Sequence, residues 1–320
     1  MSTRSRSNPG GMDVLQVLGD EVQPFRGRKP PWFKVPAPGG ERYRELHQLI
    51  RAENLHTVCQ EAACPNVGEC WSRGTATFMI LGDTCTRRCG FCNVKTGKPT
   101  WNDPLEPARV ARSVARMGLR HAVITSVDRD DLPDKGASAF VGVIRQIRRQ
   151  APRCKVEVLT PDFQGKEMPL ARVIAERPDV FNHNVEVAPR LYPVARRGST
   201  WERSLRVLRN AKEMAGDEVV TKSGLMVGLG ESFEEMVDAL GQLREHGVQV
   251  LTIGQYLRPT ERHLPIVRYW HPDEFEALEE AAYELGFEHA ACGPLVRSSY
   301  HADRHVAQDV PGEGPVATTA

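Results

Sequence analysis

From about residue 76 onward, short apolar runs alternate with stretches in which apolar residues recur every three or four positions. The short runs predict buried strands over residues 76–81, 121–127, 155–160, 180–187, 219–229 and 248–256. The longer stretches between them predict amphipathic helices. Strands separated by helices favour a parallel sheet that is covered by helices on its outside.

Several predicted helices have readable ends. Thr200 is a typical N-cap residue, and Gly216 is a typical residue at which to end the helix that follows it. Ser232 and Glu235 have the spacing of a capping box, and Pro272 is suited to the first turn of a last helix. These signals support the helical interpretation of the intervening stretches.

The number of strand–helix units decides between two architectures. Six units fall short of a complete eight-fold barrel, and we expect a partial (βα)6 barrel of the TIM type rather than a doubly wound sheet. The predicted organisation is a disordered or extended N-terminal segment (1–38), an extension with three cysteines (39–75), the partial barrel (76–292) and a C-terminal segment (293–320). In both architectures ligands bind at the carboxyl ends of the strands.

Composition narrows the classes of function. The chain has 320 residues and a formal net charge of +1, which gives no electrostatic reason to expect a nucleic-acid partner. No run approaches the length of a membrane span. The first residues are polar and lack the apolar stretch of a secretory signal, so we expect a cytoplasmic protein. In a reducing compartment, clustered thiols more often bind metal than form disulfides.

Six of the eight cysteines fall in two short clusters. The second cluster consists of Cys85, Cys89 and Cys92, directly after the first predicted strand. A structural zinc site needs four ligands, whereas here three thiols stand together. Three cysteines can hold a four-iron cluster and leave one iron open to another molecule.

This CxxxCxxC loop resembles that of the radical S-adenosylmethionine (SAM) enzymes. The resemblance implies that the open iron binds the amino and carboxylate groups of SAM. It also implies reductive cleavage of SAM to methionine and a 5′-deoxyadenosyl radical.

The first cluster, Cys59, Cys64 and Cys70, indicates a second metal site that lacks a local fourth ligand. With the CxxxCxxC loop and the segment Arg297-Ser298-Ser299-Tyr300, it is similar to the lipoyl synthase family over roughly residues 39–303. The resemblance implies an auxiliary cluster held by the three cysteines and Ser299. A hard serine oxygen suits a soft cluster poorly, so this ligand could be released easily.

Polar residues are unusually dense at the end of the fourth predicted strand. Hydrogen bonding between strands is one explanation, and a bound ligand is the other. The resemblance implies that Asn184 and Glu186 face SAM and that Arg197 binds its carboxylate, although Arg196 is equally eligible by chemistry. Asp128 and the acidic residues at 130 and 131 could bind ribose hydroxyls or cap a loop.

The resemblance also implies a reaction. The expected substrate is an octanoyl group on a lysine of the carrier domains of 2-oxoacid dehydrogenase complexes or of the glycine cleavage H protein. Sulfur enters at carbons 6 and 8, with two 4Fe-4S clusters and SAM as cofactors and the auxiliary cluster as sulfur donor. A ferredoxin or flavodoxin is the expected electron donor.

The sequence does not exclude three other functions. Another sulfur-inserting radical SAM enzyme would share the barrel, but the Arg297–Tyr300 motif argues against it. A methylthiotransferase acting on RNA should carry a basic domain, which a net charge of +1 does not support. A zinc-binding interaction protein would use all six clustered cysteines structurally.

Overall fold

The computed structural model describes residues 24–34, 41–53, 55–57, 66–72, 75–299 and 302, without the side chains of residues 41, 42, 52, 56 and 72. The strands are β1 (His56–Thr57), β2 (Thr75–Ile80), β3 (Thr84–Cys85), β4 (Lys95–Thr96), β5 (His121–Ser126), β6 (Lys155–Leu159), β7 (Val180–Asn182), β8 (Val220–Val227), β9 (Val250–Gln255) and β10 (His289–Gly293). The helices are α1 (Glu41–Ala52), α2 (Val67–Ser72), α3 (Glu106–Met117), α4 (Ala137–Gln150), α5 (Glu167–Ile174), α6 (Tyr192–Ala195), α7 (Trp201–Ala215), α8 (Phe233–Glu245) and α9 (Pro272–Glu284).

Eight strands form one sheet in the order β1-β2-β5-β6-β7-β8-β9-β10. All neighbours are parallel except β1, which runs antiparallel to β2 at one edge. Each strand from β2 to β9 in this sheet is followed by a helix, and β10 then adds a further parallel strand. The partial (βα)6 barrel is therefore confirmed, and the sheet has two strands, β1 and β10, beyond the six that the sequence predicts.

Two strands are shorter than predicted because the backbone turns away from the sheet. β7 ends at Asn182, and Glu186 then adopts a left-handed φ of 72°. β8 ends at Val227, where Gly228 takes a φ of 107°. Both departures lie at the carboxyl end of the sheet, where the barrel has its mouth.

The predicted helix ends are confirmed where side chains define them. Thr200 Oγ1 accepts a hydrogen bond from Arg203 N at 3.2 Å, and Gly216 ends α7. Ser232 and Glu235 form both bonds of a capping box at 3.1 and 2.9 Å. Such caps satisfy backbone N–H groups that a helix leaves without partners.

The barrel interior holds a buried polar group of four residues, which we call the interior cluster: His121, Glu157, Asn182 and Lys222. Lys222 Nζ lies 3.0 Å from Glu157 Oε1, and both side chains are fully buried. Asn182 Nδ2 donates to the same oxygen at 2.8 Å, and His121 Nε2 lies 3.3 Å from Glu157 Oε2. The Glu157 carboxylate thus connects its own strand, β6, to side chains from β5, β7 and β8.

Residues 24–34 pack against the segment that follows β9. Phe25 N donates to Ile266 O at 2.8 Å, and the ring of Phe25 meets Tyr269 edge-on with centroids 5.0 Å apart. Phe33 is buried against the same tyrosine. Among the described residues, the helices are all too short or too polar to cross a membrane.

Candidate active site

The three cysteines of the CxxxCxxC loop follow β2 at the barrel mouth. The loop is held by neighbouring connections: Thr86 N donates to Asp128 O at 3.0 Å, and Gly90 N donates to Ala195 O at 2.8 Å. These bonds tie it to the segments that follow β5 and β7. The structure therefore positions the loop through the ends of other strands.

A third connection comes from the segment after β9. Leu264 N donates to Gly90 O at 3.0 Å, and His263 Nε2 lies 3.0 Å from Cys92 O. A side chain at Gly90 would force Leu264 to move, because an added Cβ would lie 2.8 Å from Leu264 Cγ. Thr260 Oγ1 lies 2.8 Å from His263 Nδ1, which suits a tautomer that donates from Nε2 to the Cys92 carbonyl.

Arg87, inside the same loop, is a buried charge with several carboxylate partners. Its guanidinium makes a bidentate contact with Asp130 at 2.7 and 2.8 Å and reaches Asp162 Oδ1 at 2.6 Å. Asp162 is fully buried and also accepts from Ser199 Oγ at 2.6 Å. The guanidinium and hydroxyl hydrogen bonds hold the pKa of Asp162 far below its usual range despite burial. The Asp130 carboxylate, one of the candidates for binding ribose hydroxyls, is therefore bound to Arg87 in this structure.

The three thiols are partly buried, which disfavours their charged forms. Burial and the nearby Asp128 carboxylate raise the pKa of Cys85 to about 11. Burial also raises the pKa of Cys89 and Cys92, and the Arg196 charge opposes the rise at Cys89. Such thiols are poor free nucleophiles, whereas a bound metal would deprotonate them.

The polar residues after β7 divide into two groups. His183 is satisfied within the protein, with Nδ1 2.9 Å from Thr160 O and Nε2 3.1 Å from Ser204 Oγ. Glu186, in contrast, has an uncommon left-handed backbone that β8 holds on both sides, through Gly224 O at 3.0 Å and Met226 N at 2.7 Å. Strained residues of this kind cluster at functional sites.

Arg196 lies at the centre of the second group. Its Nη1 donates to Asn184 O and to Tyr192 Oη, and its charge acts on both Glu186 and Cys89. Burial raises the pKa of Glu186, while Arg196 and the Asn184 side chain oppose that rise. Arg197 is partly exposed and makes no such contacts with described residues.

Two buried acceptors converge beside Gly224 without partners. Asn184 Oδ1 and Thr252 Oγ1 make no hydrogen bond with any described atom, and an added Cβ on Gly224 would lie 2.8 Å from each. Buried polar atoms of this kind are rarely left unpaired in a finished site. Sequence reasoning missed Thr252; the only signal was a hydroxyl within an otherwise apolar strand, β9.

The first cysteine triad is only partly visible, because Cys59 and Cys64 lie outside the described residues. Cys70 lies in α2, which also contains the fully buried Trp71. Asn66 Nδ2, at the start of this segment, donates to Leu295 O at 2.7 Å, and Cys70 N donates to Asn66 O at 2.9 Å. This contact joins the extension before β2 to the C-terminal segment that contains Ser299.

Comparison with known sequences identifies the family. Residues 79–243 match the radical SAM superfamily, and residues 16–64 match the N-terminal domain of lipoyl synthase of the radical SAM family. The lipoyl synthase of Rubrobacter xylanophilus is 59% identical over 287 residues, which cover 88% of this chain and 89% of that protein. The lipoyl synthase of Laribacter hongkongensis is 54% identical over 282 residues, with coverages of 88% and 89%.

The chain belongs to the lipoyl synthase family. Membership makes it a sulfur-inserting radical SAM enzyme with an iron–sulfur cluster and SAM as cofactors and a protein-bound octanoyl substrate, and it argues against a zinc-binding interaction protein.

Two solved structures share the lipoyl synthase barrel at low sequence identity. Streptococcus suis SuiB bound to precursor peptide SuiA has a TM-score of 0.54 at 12% identity, covering 78% of this chain and 52% of that one. Methylornithine synthase (PylB) has a TM-score of 0.50 at 12% identity, with coverages of 82% and 84%. These likenesses concern the fold.

The donor set of this chain fits the cofactors that the family implies. Among the residues that the structure describes, no three His, Cys, Asp or Glu side chains form a metal-holding group as they stand. The fit is one of donor chemistry: three partly buried thiols in one loop suit iron. The unpaired oxygens of Asn184 and Thr252 beside Gly224 suit a polar ligand.

Proposed function

We propose that this enzyme inserts two sulfur atoms at carbons 6 and 8 of an octanoyl-lysine on a carrier protein, giving lipoyl-lysine. The observation that carries the proposal is that three partly buried thiols lie in one loop at the barrel mouth, which also holds a polar group with unpaired buried oxygens. When bound, the cofactors supply a 5′-deoxyadenosyl radical, which removes hydrogen from unactivated carbons that no side-chain base could deprotonate.

We assign the radical-generating 4Fe-4S cluster to Cys85, Cys89 and Cys92. Backbone N–H groups of Arg87 and Asp128 point at Cys85 Sγ from 3.4 and 3.3 Å, a contact that stabilises a thiolate. Arg196 adds a positive charge near Cys89. These contacts support a loop that is organised to hold negative sulfur.

We assign SAM binding to Asn184, Glu186 and Arg197, with Arg196 as the alternative for the carboxylate. Arg196 already contacts the Asn184 carbonyl and neighbours Glu186, which supports it as the group that organises this end of the site. Thr252 is an additional candidate, because its hydroxyl is buried and unpaired on β9, opposite Gly224 of β8. A hydroxyl there is available to donate to a ligand.

We assign the second 4Fe-4S cluster, the sulfur donor, to Cys59, Cys64, Cys70 and Ser299. The support is the Asn66–Leu295 hydrogen bond, which joins the segments of Cys70 and Ser299 although 229 positions separate its two residues. Asn66 and Leu295 each lie four positions before their proposed ligand. The cysteine extension (39–75) and the C-terminal segment (293–320) would then act as one unit on the barrel (76–292), with residues 1–38 as a separate N-terminal segment.

The remaining assignments concern partners and location. We propose carrier domains of 2-oxoacid dehydrogenase complexes and the glycine cleavage H protein as substrates, with a ferredoxin or flavodoxin as electron donor. Six of the seven proposed ligands are cysteines, which must stay reduced to bind iron, so we propose a cytoplasmic location.

An octanoyl-lysine peptide tests the function with a matched set of cysteine variants. After anaerobic reconstitution with iron and sulfide, and with SAM and dithionite added, wild type should give 5′-deoxyadenosine and a dithiolated peptide by mass spectrometry. Cys70→Ala should still cleave SAM but add no sulfur, and Cys85→Ala should do neither. Cys292→Ala, a cysteine outside both triads, should match wild type. A dithiolated product from Cys70→Ala would contradict the sulfur-donor assignment.

A further inference from the structure

One segment at the barrel mouth exposes apolar side chains that no described residue covers. It comprises residues 98–105, which we call the arch. Trp101 is 70% exposed and Leu105 is 66% exposed. A large apolar side chain left in water next to a functional site marks a surface for another molecule.

The arch is anchored before and after to the segment that follows β2. Before it, Gly97 N donates to Cys85 O at 3.0 Å. After it, Glu106 Oε2 accepts from Leu81 N at 2.7 Å. Trp101 is four residues from Gly97, a span of at most about 14 Å, so its ring stays close to the CxxxCxxC loop.

Exposed apolar side chains are uneven between the two ends of the barrel. The three most exposed large ones, Trp101, Leu105 and Met168, all follow carboxyl ends of strands. Met214, Tyr283 and Leu285, at the far ends of α7 and α9, are 41%, 46% and 36% exposed. The most exposed apolar side chains therefore lie at the mouth.

The charge on and beside the arch is positive. Lys98 is exposed without an ion-pair partner in the described part of the chain, and Arg88 is exposed in the adjoining loop. Asp103, within the arch, pairs with Arg109. An occupant with an apolar patch and surrounding carboxylates would match this surface.

We propose that the arch is the docking surface for the folded carrier protein, with Trp101 and Leu105 as its anchors. The inference rests on the proposed function. An octanoyl-lysine arm has finite length, so a carrier whose arm enters the barrel must rest against the mouth. Exposed tryptophan is typical of stable interface centres, whereas electron-transfer encounters are small and weak, which favours the carrier over the electron donor as occupant.

Two substrates of different size test the proposal. Dithionite serves as reductant, and the octanoylated carrier domain is compared with a short octanoyl-lysine peptide. Trp101→Ala with Leu105→Ala should raise KM for the carrier roughly tenfold or more, with kcat and the peptide KM unchanged. Lys98→Glu should raise the carrier KM less and make it less sensitive to salt. Met214→Ala and Arg153→Glu, exposed positions outside the mouth loops, should match wild type.

Each outcome that differs from these expectations shows which part of the docking proposal is wrong. An unchanged carrier KM in the double variant overturns the proposal, and so does an equal loss with the peptide, which would put the arch in the active site. A defect seen only when a protein donor replaces dithionite assigns the arch to that donor. A wild-type dimer that the substitutions dissociate assigns it to a second copy of this chain. If wild type converts neither substrate, the proposed function itself fails.

Discussion

The barrel contains two buried polar groups that differ in how well they are satisfied. In the interior cluster, the Glu157 carboxylate contacts Lys222, Asn182 and His121 within 3.3 Å. At the mouth, Asn184 has an unpaired Oδ1 and is followed two positions later by a strained Glu186. A buried carboxylate with three partners is typical of a structural role, and unpaired acceptors that converge on one point are typical of a site that a ligand completes.

Two asparagines on the same segment belong to the two groups. Asn182 and Asn184 are two positions apart, both are buried, and each has an Oδ1 with no described partner. Asn182 donates to Glu157, which is ion-paired with Lys222, whereas Asn184 Oδ1 lies beside Gly224 together with the equally unpaired hydroxyl of Thr252. Residue type, burial and one unpaired oxygen therefore do not separate structure from function here; what differs is that two unpaired acceptors converge at the mouth.

Breaking the interior cluster should have the largest effect on stability. Lys222→Met leaves Glu157 buried without its counter-ion, and we expect the free energy of unfolding to fall by about 3–5 kcal/mol. Urea unfolding of the anaerobically reconstituted enzyme measures this. The double variant Lys222→Met with Glu157→Leu should recover most of the loss, because it removes both charges. If the double variant stays as unstable as the single one, the ion pair is not the cause.

The asparagine pair gives the next largest effects. Asn184→Ala should weaken SAM binding about 10–100-fold and lower the free energy of unfolding by about 1 kcal/mol, because it loses only the side-chain hydrogen bond to Glu186. Asn182→Ala should leave SAM affinity unchanged and cost about 1–3 kcal/mol of stability, because it removes one hydrogen bond to the fully buried Glu157 carboxylate. Equilibrium dialysis with SAM and urea unfolding distinguish the two. Equal effects on SAM affinity would remove the distinction between the two groups.

Sequence patterns predict the sheet well where strands are buried on both faces, because nearly every residue of such a strand is apolar. They predict β7 to be too long, because nothing in the sequence Asn-His-Asn-Val-Glu indicates that Glu186 adopts a left-handed backbone. They miss β10, whose His-Ala-Ala-Cys-Gly sequence carries little hydrophobic signal. The contact of His263 with Cys92 spans 171 positions and leaves no local trace at all.

A smaller effect concerns acid stability. Burial and the Arg196 charge lower the pKa of His183 from 6.5 to about 3. The unfolded chain therefore binds a proton between these values that the folded chain does not, so stability is full above pH 6.5 and falls as the pH drops towards 3. At pH 5 this one group should cost about 2 kcal/mol. His183→Gln should lose that much less stability between pH 7 and 5, and parallel pH profiles of the two proteins would contradict this.

The smallest effect should come from His263, which separates anchoring of the CxxxCxxC loop from ligation. His263 holds the Cys92 carbonyl from outside the loop, so its loss should loosen the loop without removing a ligand. One neutral hydrogen bond is worth about 1 kcal/mol, and we expect His263→Ala to speed iron loss to a chelator about fivefold. His263→Gln retains a donor and should restore most of the wild-type rate, while His246→Ala, a histidine at the end of α8, should have no effect. Equal rates for His263→Ala and wild type would mean that Gly90, held by Leu264, Ala195 and the close packing at its backbone, suffices to fix the loop.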